Sequence, residues 1–257
     1  MNEQIDMKIS GSSTMPGGEY NRVSISGAGK ISSDVKCAEL RCSGAAKVHG
    51  SVQCAGEIHS SGACKIGGSA SCESLSTSGS FRIQGDLDAR QYLHASGSVE
   101  VGGRLTAGEV ETSGAVEAGS VHCGTYKSAG SCRIHGDLEA ESAVLAGAVE
   151  IGGLLNAETV DISTSCAVHI GAIGGSRIHI TQKDIKALFG FIRMASGCAR
   201  IGSIEGDTIE LEYVEAEIVR GKYVRIGEGC RIGTVEYGEN LEAEPGTVGR
   251  STQTGAE

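Results

Sequence analysis

Apolar and polar residues alternate along this chain in short bursts, and the bursts return every 16 to 18 residues. Each return is marked by a Ser-Gly or Ala-Gly dipeptide, whose glycines are Gly27, Gly44, Gly62, Gly79, Gly97, Gly114, Gly130 and Gly147. Four residues after each glycine comes an apolar position: Ile31, Val48, Ile66, Ile83, Val101, Ala118, Ile134 and Ile151. Two residues before that stand Gly29, Ala46, Cys64, Phe81, Val99, Val116, Cys132 and Val149, the period of a half-buried strand. A second inward pair follows, as in Val52 and Cys54, Leu87 and Ala89 or Leu105 and Ala107. A third closes the turn, as in Leu40 and Cys42, Leu93 and Ala95 or Val160 and Ile162. A fixed short period of this kind is the mark of a solenoid. The pattern predicts an all-β, parallel β-helix with about 17 residues per three-sided turn. Inward pairs on three unequal sides favour the right-handed form.

The same periodicity divides the chain. Residues 1–22 read as a flexible leader, with Pro16 and Gly17-Gly18 breaking the strand pattern, and 23–165 as the main β-helix. Residues 166–197 read as an irregular insertion with helix-spaced apolar residues, 198–237 as further β-helix turns, and 238–257 as a disordered acidic tail. About ten turns are expected.

Composition agrees with a narrow interior. The chain has 40 glycines, no Trp and only three Phe, and the glycines are expected to supply the positive φ that tight corners need. A net charge of −10 argues against nucleic acid as a partner. No 18-residue apolar run and no signal-like start is present, so a cytoplasmic location is expected. One outward row, Lys30, Lys47, Lys65, Arg82, Glu100, Glu117, Arg133 and Glu150, switches from basic to acidic and reads as a solvated face. Of the ten cysteines, Cys37, Cys54 and Cys72 fall where later turns carry Ala89, Ala107, Ala140 and Ala157. They read as structural thiols rather than a metal or redox site.

Little in the chain points to catalysis. Hexapeptide-repeat acyltransferases also complete a turn in about 18 residues and use a histidine, so that activity is one alternative to a structural scaffold, a non-polymerising β-helix interaction module being the other. The seven histidines, His49, His59, His94, His122, His135, His169 and His179, match no nucleophile or metal pattern. Asp86, Asp88 and Asp137 look isolated, and the glycine pairs such as Gly102-Gly103 lack the lysine of a phosphate loop. No cofactor and no small-molecule substrate are expected. The segment Lys183 to Met194 is out of character: Ile185, Leu188, Phe189 and Ile192 have helix-face spacing, flanked by Lys183, Lys186 and Arg193. It is a candidate contact with a membrane surface or a partner.

The run Ser96 to Thr112, with Ile134-His-Gly-Asp-Leu-Glu-Ala140 and Ile151-Gly-Gly-Leu-Leu-Asn-Ala157, resembles the bactofilin repeat. The likeness covers roughly residues 23 to 165 and, more weakly, 198 to 237. It implies a bacterial cytoskeletal protein with flexible termini that polymerises end to end without nucleotide and is often membrane-associated. Its partners would be further copies of itself, or a relative, and a membrane surface at the inner face. Polymerisation also follows from the predicted fold, because a β-helix ends in unpaired strand edges. Val23 and Ile25 at one end and Ile232, Val235 and Tyr237 at the other are the expected end-face residues.

Overall fold

The computed structural model describes residues 5–163, 166–182 and 198–254. They form 22 strands, paired in parallel, with no helix among them. The chain is a β-solenoid whose turns lie roughly 17 residues apart. It divides into two compact units, Met1–Gly124 and Thr125–Glu257.

The turn at 45–60 in the first unit shows how the sequence builds a rung. Its strands are Ala45–Val48, Val52–Cys54 and Glu57–Ser60. Their inward residues Ala46, Val48, Val52, Cys54, Ile58 and Ser60 are all buried. The next rung repeats each contact in register, Val48 on Ile66, Val52 on Ala70 and Ile58 on Leu75. Each core column is therefore a stack of like-sized apolar side chains, at about 0.8 kcal/mol per buried methylene. Rings do enter where the neighbours allow. Phe81 is sandwiched between Cys64 and Val99, and Tyr126 in the second unit is buried with its hydroxyl 3.1 Å from Cys132 Sγ.

The glycine ladder has a different cause from the one expected. None of Gly27, Gly44, Gly62, Gly79, Gly97 and Gly114 has positive φ. A Cβ at Gly44 would instead overlap the carbonyl oxygen of Gly27, at Gly62 that of Gly44, at Gly79 that of Gly62, and so on to Gly114 and in the second unit Gly147. The corners stack so closely that only hydrogen fits. Positive φ occurs at Gly18, Tyr213, Gly229 and Gly246.

A second column fixes another corner. Asp34 Oδ1 accepts from the Ser51 N–H (2.8 Å), Ser51 Oγ from Ser69 N–H (3.2 Å), Ser69 Oγ from Asp86 N–H (3.1 Å), and Asp86 Oδ1 from Arg104 N–H (2.8 Å). In the second unit Asp137 Oδ1 accepts from Leu154 N–H at 2.8 Å. These aspartates are not isolated. They occupy the seventh position after the ladder glycine and tie each rung to the next.

Three boundary expectations are corrected. The leader carries strands Met7–Ile9, Ser12–Met15 and Gly18–Ile25, with Met7 and Ile9 stacked on Val23 and Ile25. The insertion does not begin at 166: Val168–Thr181 is a strand paired with Ala148–Ser163 before it and Ala199–Leu211 after it. The tail continues as Arg231–Ala243 and Val248–Gln253. An acidic segment can stay ordered here because a rung needs few inward residues once the preceding rung offers a full set of backbone partners. Its outward carboxylates also find cations, as in Arg220–Glu236 at 2.7 Å. Counting both units there are about 14 turns, not ten.

Candidate functional surfaces

The predicted end-face residues lie inside the stack. Val23 and Ile25 pair with Met7 and Ile9 on one side and with Leu40 and Cys42 on the other. Ile232 and Val235 lie between Ala216 and Val219 before them and Val248 and Ser251 after, and Tyr237 between Gly221 and Gln253. Pairing continues past both groups because the flanking segments are strands. Among the described residues the strands paired on one side only are Met7–Ile9 and Ser12–Met15 in the first unit and Val248–Gln253 in the second.

The outward row on the strand after the glycine corner differs between the units. In the first, Lys30 stacks on Lys47, Lys47 on Lys65, and Lys65 on Arg82, which then meets Glu100 in a 2.5 Å ion pair. Like charges stacked in register destabilise a sheet. Lys30, Lys47 and Lys65 have no carboxylate in ion-pair reach among the described residues. In the second unit the same row reads Arg133, Glu150, His169, Arg200, Glu215 and Arg231, stacked in that order. Arg133 pairs with Glu150 at 2.8 Å and Arg200 with Glu215 at 3.6 Å. The Arg133 guanidinium holds the Glu150 carboxyl below its usual value. From Glu150 to Arg231 this mixed-sign row, with Gly152, Gly171, Gly202 and Gly233 beside it, floors a shallow groove of about 910 Å³.

All ten cysteines are free, and eight of them are buried. Cys37 stacks directly on Cys54, and Cys54 takes a hydrogen bond from Cys37 that eases its own ionisation and holds Cys37 up. Cys42 and Cys64 form a second such pair, with Cys64 held well above its ordinary value. Burial pushes the Cys72 and Cys123 thiols up to about 12. The column two residues before the ladder glycine, read from the spacing as the inward close of each turn, also holds Ser60, Thr77, Thr112 and Ser128, buried with no hydrogen-bond partner for their hydroxyls, which sequence reasoning did not foresee. The spacing was the available signal, since Cys42 and Ala95 fill the same column.

Six histidines are exposed and His179 is half-buried. His59 and His94 share a column with Ser76 between them, His94 lies 3.4 Å from Glu111, and His179 lies 3.8 Å from Asp161. No two share a cleft with a nucleophile. Among the described residues no group of three His, Cys, Asp or Glu could hold a metal, and no helix is long and apolar enough to cross a membrane. Lys183, Ile185, Leu188, Phe189, Ile192 and Arg193, the candidate membrane or partner contact, lie outside the described residues.

Two curated proteins of Bacillus subtilis strain 168 are similar to part of the chain. The uncharacterized protein YhbF is 38% identical over 94 residues, 36% of this chain and 38% of its own. The uncharacterized protein YhbE is 37% identical over 97 residues, 37% of this chain and 40% of its own. The match therefore spans about two fifths of each relative's length. No protein-family model matches the chain, and no solved structure does.

Proposed function

We propose that this protein is a structural subunit, a bactofilin-like scaffold that polymerises end to end without nucleotide and positions other proteins. The observation that carries the reading is the pairing pattern. Within each unit the inner described strands are paired on both sides, while Met7–Ile9, Ser12–Met15 and Val248–Gln253 keep one side free for another strand. A strand edge is a template for a further copy, or for a relative of the same rung geometry. Nothing in such an assembly step calls for a cofactor. The subunit would work in the cytoplasm, peripheral to the inner face of the membrane.

Negative-stain electron microscopy of the tag-free chain under reducing conditions, with and without nucleotide, tests this. Filaments indifferent to nucleotide are expected, and discrete monomers or trimers in both conditions would overturn the proposal. Ser251→Pro puts a proline in the one-sided strand and should stop assembly without lowering the melting temperature of the subunit by more than a few degrees. Calorimetry with an acyl-coenzyme A is expected to give no heat. Saturable binding there would move the reading to an acyltransferase.

A further inference from the structure

The column Lys30, Lys47, Lys65 and Arg82 runs against the rest of the molecule. Several cations elsewhere have a carboxylate beside them: Arg22 and Arg41 share Glu39, Lys36 pairs with Glu19, Arg220 with Glu236, and Lys222 with Asp207. Among the described residues, only in this column do three lysines stack in register without one, in a chain of net charge −10. An anion from outside would relieve this unfavourable arrangement. The floor beside the lysines is flat, because the outward residues two positions earlier are Ala28, Ala45 and Ala63, all exposed.

We propose that this column is a docking track for an α-helix of a partner protein that carries one carboxylate per turn along one face. The spacing selects the occupant. Rungs repeat at about 4.8 Å, and an α-helix lying along the track presents a side chain every turn, at about 5.4 Å, so successive carboxylates stay within reach of successive cations. An extended strand presents same-face residues about 6.7 Å apart, and a duplex backbone brings a phosphate every 3.4 Å or so along each strand while curving away. The alanine row lets the helix approach closely, and Arg82, held by Glu100, ends the track. The proposal deepens the scaffold reading by naming how a positioned protein would attach.

Its test uses the full chain and a fluorescein-labelled, stapled helical peptide about five turns long. One peptide carries Glu at i, i+4, i+7 and i+11, and a second has the same composition with the carboxylates spread round the helix. Anisotropy should show the striped peptide binding roughly tenfold more tightly than the scrambled one, and the difference should vanish in the Lys47→Glu/Lys65→Glu variant. Lys47→Glu places a carboxylate beside Lys30, so the fold should hold. Should the pair fail to fold, Lys47→Gln/Lys65→Gln gives the same readout. Equal affinity for both peptides would overturn the proposal, as would binding to neither. Capture by phosphatidylglycerol vesicles, lost in the variant and without peptide binding, would make the track a membrane face instead. Assembly is followed separately in the same samples, so peptide binding by a chain that never polymerises would keep the track and discard the scaffold.

Discussion

The two units stack rungs of the same length, yet they settle the same conflicts differently. In the first, the outward row after the glycine corner runs Lys, Lys, Lys, Arg, and the corner is a column of glycines each pressed on the carbonyl below. In the second, the row alternates in sign, and the late corners turn on left-handed residues, Tyr213 (φ 57°), Gly229 (φ 72°) and Gly246 (φ 82°). The second unit thus meets its electrostatics internally and sets its late corners at Tyr213, Gly229 and Gly246 by local conformation, while its early corner at Gly147 is still pressed on the carbonyl of Gly130. The first leaves positive charge open to an external partner and sets its corners by contact across rungs. A repeat fixes the shape of a turn, and each position along it remains free to serve packing or binding.

The corner difference should give the largest effect. Gly62→Ala must push its rung off the carbonyl of Gly44 and should cost about 3 kcal/mol. Gly246→Ala meets open space and should cost only about 1 kcal/mol from its backbone conformation. Urea unfolding of both variants checks the ratio, and equal losses would dissolve the distinction between contact-set and conformation-set corners.

Next come the thiols. Cys72 and Cys123 in the first unit are raised to about 12 by burial, and Cys132 in the second to about 11. A thiol that ionises later when folded leaves stability intact below its ordinary value near 8.5 and subtracts from it as pH climbs toward the raised value. Each should subtract about 3 kcal/mol by pH 11. Cys72→Ala, which installs the residue that Ala89 already supplies in the next rung, should flatten the alkaline slope in urea midpoints taken at several pH values.

Smaller again is the buried hydroxyl column. Thr77→Val removes an unpartnered hydroxyl at constant shape and should raise stability by about 1 kcal/mol. A loss instead would mean that a bound water serves that column. The charge rows should give the least. Lys47→Glu installs alternation in the first unit and should raise the melting temperature by about 1 °C, while Glu150→Lys removes it in the second and should lower it. Both shifts should shrink in about 1 M salt.

Much of the fold was legible because a strand's two faces are written in a period of two. Ile66, Leu87 and Leu93, read as inward from spacing alone, are buried to within 1%. Asp86 and Asp137 were in view as residues but not as a column, and Asp34 was not singled out at all. Their partners are backbone N–H groups a whole turn away, which no side-chain pattern announces. The terminal strands were missed because Pro16 and the acidic run after Gly238 look like breakers when judged locally, whereas a rung borrows its order from the one before it. The misplaced end faces at Val23 and Val235 followed directly from that.

By itself the sequence determined the strand period, the turn length and which residues point inward, since all three depend on the chirality and reach of a few consecutive residues. Only the tertiary structure decided which backbone groups the aspartate column holds, why the corners must be glycine, and that three lysines of the outward row stand without a carboxylate. Those are contacts between atoms some 17 residues apart, set by a rung spacing that leaves no room for a methyl group at one corner and no carboxylate beside three lysines.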